Sequence, residues 1–294
     1  MKKPRLSGLD GAEGAERPPL EGAIAYLGPP ATFTHLAALA RFGSEAELKP
    51  ADSVADVFAM VCQGDVLYGV VPIENSIEGA VTHTLDELSG TSLRICGELY
   101  LRISHCLLAR GPRKDIRMIY SHPQVFGQCR QWLRSAFPGV QQVSVSSTAR
   151  AAERAAAEPG SAALAGRLAA EIYGLDVLEE TLQDRVGNTT RFLVLGRENP
   201  PKSGRDKTSI VFHVEHRAGA LVRALGVFGE HGINMTRIES RPNPSQPWSY
   251  LFFVDIEGHQ DERDVSLALD ALRKSCTLCN VLGSYPTAGE TDKA

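Results

Sequence analysis

Two patterns of apolar residues alternate along residues 23–196. Short apolar runs such as Ile24–Leu27 and residues 68–73 are typical of buried strands, and between them apolar residues recur at helical spacing, as in residues 34–42. Strands separated by helices of this length favour βαβ units. The pattern therefore predicts an α/β domain with mostly parallel sheets, built either as one sheet or as two lobes.

A different arrangement follows residues 197–207, where charged residues, proline and glycine replace the apolar pattern and predict a linker. Residues 208–286 then show the order strand, helix, strand, strand, helix, strand, which is the ferredoxin-like α+β arrangement. Residues 1–22, rich in glycine, alanine, glutamate and proline, predict a disordered leader, and residues 287–294 a tail.

Charge and composition narrow the class of protein. The 31 basic and 35 acidic residues are mixed along the chain, and no basic run exceeds Lys2-Lys3, so we expect no nucleic-acid partner. The leader has no apolar signal-peptide region and no segment approaches about 18 consecutive apolar residues, so we expect a cytoplasmic protein with no membrane partner. Cys276 and Cys279 have a metal-like spacing, but no second pair follows, so we expect no metal site.

Four polar loops follow predicted strands, where the ligands of open α/β sheets bind: residues 28–34, 74–79, 121–124 and 188–192. In the first loop, Thr32 either caps the next helix or faces a ligand. In the second, Asn75 and Ser76 present an amide and a hydroxyl beside free helix N–H groups, which suits a carboxylate. Equally, Ser76 is an N-cap and Glu78 complements the helix dipole.

The other two loops offer a titratable group and a cation. His122 can titrate near neutral pH, although a capping or core histidine is the commoner case. Arg191 can bind a carboxylate bidentately, or it is a surface arginine beside strand-forming threonines. The chain has no nucleophile elbow, no HExxH and no dinucleotide GxGxxG motif. Any chemistry is therefore expected to be acid–base or electrostatic work on a small carboxylate, without a cofactor.

Taken together, the loops resemble the prephenate dehydratase family over nearly the whole chain. The motifs are GPPATFT at residues 28–34, VPIENSIEG at 71–79, SHPQ at 121–124 and TRF at 190–192. Ala31 stands where the family has glycine, so a positive φ is not expected there. GAL at residues 219–221 and ESRP at 239–242 are similar to an ACT domain that binds phenylalanine.

This resemblance implies a two-lobed catalytic domain like a periplasmic binding protein at residues 23–196 and an ACT regulatory domain at 208–286. It implies conversion of prephenate to phenylpyruvate, water and CO2 without a cofactor, inhibited by phenylalanine. The leader is too short for the chorismate mutase domain of some relatives, so a monofunctional form is expected. An effector site shared between subunits implies a homodimer, or a tetramer built as a dimer of dimers.

The resemblance also assigns residues. Thr190 is the expected catalytic residue at the leaving hydroxyl, Arg191 the leading carboxylate partner, and His122 and Glu78 the candidates to complete a proton relay. Substrate binding is expected at Thr32, Phe33, Asn75, Ser76, Glu78, Arg191 and Phe192. Phenylalanine binding is expected at Gly219, Ala220, Leu221, Asn234, Glu239, Ser240 and Arg241. Two alternatives stay open: an arogenate dehydratase, and a non-catalytic two-lobed sensor of an amino acid or carboxylate.

Overall fold

The computed structural model describes residues 22–289, so the predicted leader, apart from Gly22, and the last five residues of the predicted tail lie outside it. The chain first builds one lobe. Its elements are β1 (Ile24–Leu27), α1 (Phe33–Phe42), β2 (Leu48–Ala51), α2 (Val54–Gln63), β3 (Tyr68–Asn75), β4 (Gly79–Ala80), α3 (Thr82–Gly90) and β5 (Arg94–Arg102).

A second lobe follows. Its elements are β6 (Cys106–Ala109), β7 (Met118–Ser121), α4 (Pro123–Gln128), α5 (Arg130–Ala136), β8 (Gln141–Ser144), α6 (Thr148–Ala157), β9 (Ser161–Ala165), α7 (Arg167–Tyr173) and β10 (Asp176–Glu179). A single helix was expected over residues 123–137, but it is divided at Cys129, whose φ of −110° and ψ of 22° depart from helical values.

The chain then returns to the first lobe through β11 (Thr189–Gly196). The strand order is β2-β1-β3-β11-β5 in the first sheet and β10-β6-β9-β7-β8 in the second. The architecture is therefore two-lobed α/β, as the resemblance implied. The sheets are mixed rather than mostly parallel, because β11 is antiparallel to both β3 and β5, and β6 is antiparallel to both β9 and β10. The chain crosses between the lobes from β5 to β6 and from β10 to β11, so these strands are not joined by βαβ crossovers.

The C-terminal unit is a four-stranded antiparallel sheet in the order β13-β14-β12-β15. Its elements are β12 (Asp206–His213), α8 (Ala220–Glu230), β13 (Met235–Pro242), β14 (Tyr250–Glu257), α9 (Arg263–Ser275) and β15 (Leu278–Pro286). This is the predicted βαββαβ order. Strand β12 begins at Asp206, so Asp206 and Lys207 belong to the sheet and not to the expected linker.

The two faces of this C-terminal sheet have different partners. Phe212, Phe228 and Leu269 belong to a core between the sheet and its two helices. On the opposite face, Phe253 and Tyr285 share a core with residues of the first lobe. At Gly283 a Cβ atom would lie 2.3 Å from the carbonyl oxygen of Ile95, so only glycine allows β15 to come this close to β5. The C-terminal sheet therefore packs directly on the sheet that contains β11.

Over residues 22–289, no helix is both long enough and apolar enough to span a membrane.

Candidate active site

A cavity of about 750 Å³ lies between the two lobes. All four polar loops contribute to it. Of the residues predicted to form the site, those that line it are Thr32, Phe33, Asn75, Glu78, His122, Thr190 and Phe192. Ser76 and Arg191 do not line it.

The first loop is organised by a helix cap. The Thr32 hydroxyl accepts the backbone N–H of His35 at 3.2 Å and donates to the carbonyl of Leu27 at 3.2 Å, so Thr32 is the N-cap of α1 and also lines the cavity. The expectation for Ala31 was wrong, because its φ is +73°. Its backbone N–H donates to Nδ1 of His35 at 3.1 Å, and this bond holds an alanine in a conformation that favours glycine.

Asn75 and Thr190 form the centre of the site. They are register partners at the ends of β3 and β11, and Nδ2 of Asn75 lies 2.8 Å from Oγ1 of Thr190. The side-chain oxygen of Asn75 accepts the backbone N–H groups of Ile77 at 2.9 Å and Glu78 at 3.0 Å. Because two donors fix this oxygen, the amide nitrogen must point towards Thr190.

This orientation decides the role of the Thr190 hydroxyl. Its oxygen accepts a hydrogen bond from Asn75, which is the only hydrogen bond it makes with other residues in the described part of the chain. A hydroxyl group has one hydrogen to donate, so that of Thr190 stays available for a ligand in the cavity.

The hydrogen bonds continue from Asn75 into the second lobe. Asn75 also donates to the side-chain oxygen of Asn188 at 2.7 Å, and Asn188 donates to Oε1 of Gln128 at 3.2 Å. Nε2 of Gln128 donates to Oε1 of Glu78 at 3.1 Å. A carboxylate only accepts, so the bond to Glu78 fixes the orientation of the Gln128 amide.

His105 completes this network. Its Nε2 lies 3.0 Å from Oε1 of Gln128, and because that oxygen is an acceptor, Nε2 carries the hydrogen. Burial lowers the pKa of His105, although the bond to Gln128 partly opposes the shift, so the ring is neutral near pH 7. The edge of the Phe33 ring packs on the imidazole with the ring centroids 5.5 Å apart.

The sequence reasoning missed Asn188, Gln128 and His105. Asn188 and Gln128 stand inside or beside the motifs that were recognised, but their amides did not stand out among other polar residues. His105 lies where the chain crosses from β5 to β6, in a mainly apolar segment, and no sequence pattern marks it.

His122 has the role of a helix cap. It is the N-cap of α4, and its Nδ1 accepts the backbone N–H of Gln124 at 3.3 Å. The ring also lines the cavity, so Nε2 is the nitrogen that is free of the cap.

Ser76 links strand ends outside the cavity. Its hydroxyl accepts the backbone N–H of Thr189 at 3.0 Å and donates to the carbonyl of Gly187 at 3.3 Å. The prediction that Ser76 binds the substrate is therefore corrected. The residue joins the loop after β3 to the start of β11, next to the pairing of Asn75 with Thr190.

Arg191 also requires a correction. Its guanidinium donates to Glu98 at 2.7 Å, to Asp255 at 2.6 Å and to the hydroxyl of Tyr285 at 3.0 Å, and its side chain is 5% exposed. Successive side chains of a strand point to opposite faces, so the neighbour of Thr190 must point away from the cavity. Arg191 lies between the first lobe and the C-terminal sheet, and the prediction that it binds the substrate carboxylate is wrong.

Other groups at the cavity suit an anion. The N-terminal ends of α1, α3 and α6 contribute Thr32, Thr82 and Ser147 to its lining. Helix α3 begins after Val81 without a side-chain cap, so its first N–H groups are not satisfied by a side chain. Helix N-termini attract negative charge, and Arg150 adds a cation to the lining.

The residues predicted to bind phenylalanine divide into two groups. Ala220 and Leu221, which follow Gly219 at the start of α8, line a second cavity of about 140 Å³ together with Phe252. Ser240 is the register partner of Phe252, so its side chain points to this same face of the sheet.

The remaining predicted effector residues lie elsewhere in the chain. Glu239 and Arg241 alternate with Ser240 and point to the opposite face of the sheet, where Arg241 binds both carboxylate oxygens of Asp86 at 2.9 Å. Asn234 precedes the far end of β13, about 20 Å along the strand from Ser240 at 3.3 Å per residue. Within one chain, these residues therefore do not form a single site with Gly219, Ala220 and Leu221.

Comparison with known proteins identifies the family. The sequence model of prephenate dehydratase matches residues 24–200, and that of the ACT domain matches residues 208–274. The chain belongs to the prephenate dehydratase family. Its relative in Pseudomonas aeruginosa, a bifunctional chorismate mutase/prephenate dehydratase, is 46% identical over 267 residues, which are 90% of this chain and 73% of the relative. The chain thus has a prephenate dehydratase domain followed by an ACT regulatory domain.

Two solved structures are similar over the full architecture of this prephenate dehydratase family member. One is the prephenate dehydratase of Arthrobacter aurescens in complex with L-Phe, with a TM-score of 0.83, 36% identity, and coverage of 92% of this chain and 91% of that one. The other is described as GqqA, a novel type of quorum quenching acylase, with a TM-score of 0.83, 32% identity, and coverage of 90% and 98%.

Proposed function

We propose that prephenate binds in the cavity between the lobes and that Thr190 donates a hydrogen bond to the hydroxyl group that leaves. The observation that carries this proposal is the bond from Nδ2 of Asn75 to Oγ1 of Thr190. Because Thr190 accepts this bond, its own hydrogen is free to meet the departing oxygen. Asn75 thus orients the hydroxyl and also makes it a better donor, since hydrogen bonds in a chain polarise one another.

The reaction requires one proton and no electrons from outside. Prephenate is a dianion, and the bond from its ring to one carboxylate breaks as CO2 leaves. The electron pair of that bond completes the aromatic ring, and the ring hydroxyl leaves on the opposite side of the ring. The products are phenylpyruvate, which carries one negative charge, CO2 and, after protonation of the hydroxide, water. The catalytic task is to stabilise the departing hydroxide.

A proton donor near Thr190 completes the reaction. Threonine is too weak an acid to supply the proton itself. His122 lines the same cavity, and its Nε2 is not used by the cap that Nδ1 makes with Gln124. Glu78, the other candidate, accepts a hydrogen bond from Gln128 and belongs to the network that orients Asn188. We therefore assign His122 as the proton source and Glu78 as an orienting residue.

The substrate carboxylates bind to neutral donors. With Arg191 outside the cavity, the N-terminal N–H groups of α1, α3 and α6 are the neutral groups that attract them, and the guanidinium of Arg150 is a cation that is already paired with Glu153. Neutral donors suit the carboxylate that becomes CO2, because a tight cation would stabilise the ground state more than the transition state and slow the reaction.

Phenylalanine acts through the ACT domain in this proposal. The cavity at Ala220, Leu221 and Phe252 offers apolar contacts to an aromatic side chain beside polar residues such as Arg217, and a structurally similar prephenate dehydratase was solved with L-Phe. Asn234, which lies at the other end of β13, would have to come from a second copy of the chain, which supports a homodimer or a dimer of dimers.

Substitutions of Thr190 test the proposed reaction. Thr190→Val keeps the shape but removes the hydroxyl, so kcat for phenylpyruvate formation should fall by about 10²–10⁴, while KM changes little. Thr190→Ser keeps the hydroxyl and should retain most of the activity. Thermal unfolding of both variants checks that they fold. A Thr190→Val enzyme with the kcat of the unsubstituted protein would remove Thr190 from the mechanism.

Two other activities are distinguished by their substrates. Arogenate carries an ammonium group in place of the keto group, and the ratio of kcat/KM for prephenate to that for arogenate decides between them.

The acylase described for GqqA would need a nucleophile with a base. In the described residues, the hydroxyl of Thr190 is bonded only to an amide N–H, which cannot take up its proton. Thr190 is therefore not an activated nucleophile, and an assay of N-acyl amine hydrolysis beside phenylpyruvate formation distinguishes the two activities.

A further inference from the structure

Four charged side chains connect the catalytic sheet with the ACT sheet. Nη1 of Arg191 lies 2.6 Å from Oδ2 of Asp255, and Nε of Arg237 lies 3.0 Å from Oε2 of Glu74. Three of the four side chains are at least nine-tenths buried, and Glu74 is 41% exposed. The two ion pairs lie side by side. Together they define where the ACT sheet lies on the catalytic sheet and which opposite charges meet there.

The pairing of the strands places these residues opposite one another. Arg191 and Glu74 are register partners on β11 and β3, and Arg237 and Asp255 are register partners on β13 and β14. A pair of neighbours in one sheet is therefore joined to a pair of neighbours in the other. We call these four residues the charge rung.

The charge rung is adjacent to the site in sequence. The next register pair on β11 and β3 is Thr190 with Asn75, which faces the cavity. Because side chains alternate along a strand, one peptide bond separates each cavity residue from a rung residue on the opposite face. The backbone that positions the Thr190 hydroxyl is therefore held by contacts to the ACT sheet on the face opposite the cavity.

Further bonds hold the rung in one arrangement. Glu98 accepts from Nε of Arg191 at 2.7 Å and from Nζ of Lys207 at 2.8 Å, and Ser209 donates to Asp255 at 2.6 Å. Burial tends to raise the pKa of Asp255, but the charge of Arg191 and the bond from Ser209 more than offset this, so the pKa lies below its ordinary value. Asp255 is therefore ionised near pH 7 and attracts both arginines.

We propose that Glu74 and Arg191 are positioning residues for the dehydration, and that the charge rung transmits movement of the ACT sheet to Thr190 and Asn75. This inference rests on the proposed role of Thr190. Neither residue touches the substrate. Their ion pairs hold the adjacent ends of β3 and β11 against the ACT sheet where the bond between Asn75 and Thr190 forms, so a shift of the ACT sheet changes the direction of the Thr190 hydroxyl.

Glu74→Gln and Arg237→Gln test the rung at its most accessible pair, where loss of the protein's fold is least expected. Each should lower kcat by about 10-fold with KM for prephenate nearly unchanged, because a small misplacement of a catalytic group weakens only the transition state. The double variant should be no worse than either single one, because both act through one contact. Inhibition by L-phenylalanine should also become weaker in all three.

Asp86→Asn is the matched control. It weakens the contact with Arg241, another ion pair between the first lobe and the ACT sheet, but Asp86 lies on α3 and not on β3 or β11. It should leave kcat unchanged. If Asp86→Asn lowers kcat as much as Glu74→Gln, the interface acts only as a whole and the proposal is wrong. An unchanged kcat in Glu74→Gln overturns it equally.

Combination with a Thr190 variant separates this proposal from the proposed function. In a Thr190→Val background, Glu74→Gln should have no further effect on kcat, since the hydroxyl it helps to position is gone. Independent, multiplying effects would mean that Glu74 acts structurally and not through Thr190. If Thr190→Val itself retains full kcat, the proposed function fails first, whatever the result for Glu74.

Discussion

Thr190 and Arg191 are consecutive residues that face opposite sides of β11. Oγ1 of Thr190 lies 2.8 Å from Nδ2 of Asn75 at the cavity, and Nη1 of Arg191 lies 2.6 Å from Asp255 of the ACT sheet. A single peptide bond thus separates the proposed donor from the interface with the regulatory domain. The TRF motif therefore contains Thr190, the proposed donor to the substrate, and Arg191, which contacts the regulatory domain.

Asn75→Asp tests the direction of the hydrogen bonds at Thr190. A carboxylate only accepts, so the oxygen that replaces Nδ2 would take the hydrogen of Thr190 that we assign to the substrate. We expect kcat to fall by about 10²–10⁴ and KM to rise, because the added charge repels a dianion. Steady-state kinetics with prephenate measure both effects.

Asn75→Ala is the control for that substitution. It loses the orienting bond but leaves the hydrogen of Thr190 free, so its kcat should exceed that of Asn75→Asp. A higher kcat in Asn75→Asp than in Asn75→Ala would mean that Thr190 does not act as a donor.

How much of the site could be predicted depends on the kind of signal each residue carries. Contiguous motifs led to Thr32, Asn75, Glu78 and Thr190, because short polar loops after strands are visible in the sequence. Arg191 was misplaced although the alternation of a strand already implied the result. If Thr190 and Phe192 share one face, Arg191 must occupy the other.

Long-range contacts explain what the sequence did not reveal. Gln128 reaches Glu78 of the first lobe from 50 residues away, and His105 meets Gln128 from 23 residues away, so neither contact follows from local sequence. The mixed pairing of the sheets has the same origin. Alternation of helices and strands predicts parallel neighbours, but it does not specify where a strand such as β11, which returns from the other lobe, will insert.

Leu221→Ala tests the proposed place of phenylalanine in the ACT domain. Removing most of a leucine that contacts an aromatic ligand should cost about 2 kcal/mol of binding free energy, and so raise the concentration of L-phenylalanine for half-inhibition by at least about 10-fold. Inhibition curves of the variant measure this shift. Leu267→Ala, at a half-exposed leucine of α9, is the control and should leave the curve unchanged. Equal curves for the two variants would exclude the cavity at Leu221.

The pH dependence of stability should reveal the buried histidines. Burial lowers the pKa of both His35 and His105 in the folded protein, so the unfolded chain, with a histidine pKa of about 6.5, takes up the proton first. The stabilisation is fully present above about pH 6.5 and is lost as the pH falls below it, by at most about 1.4 kcal/mol per pH unit for each histidine.

Urea denaturation between about pH 5 and 7 checks this dependence. His105→Gln keeps an N–H donor for Gln128 but does not titrate, so the free energy of unfolding should decline less steeply with falling pH. His35→Gln should reduce the slope by a separate amount, because the two residues share no hydrogen bond among those described. A slope that neither substitution changes would show that the acid sensitivity has another source.

Ala31→Gly should cost the protein little or no stability, which is unusual for the removal of a buried methyl group. At a φ of +73° an alanine is strained by about 1–2 kcal/mol relative to glycine, whereas glycine costs the unfolded chain about 0.5–1 kcal/mol more entropy on folding. Burial of the Ala31 methyl group is worth about 0.8 kcal/mol more, so the three contributions nearly cancel and the free energy of unfolding should change by less than about 1 kcal/mol. Ala37→Gly, a few residues further along in α1, is the control, and it should lower stability by about 1 kcal/mol or more because a helix interior disfavours glycine. If both substitutions destabilise the protein to a similar extent, the bond from Ala31 to His35 holds the loop without strain, and an alanine is as well suited to this turn as a glycine.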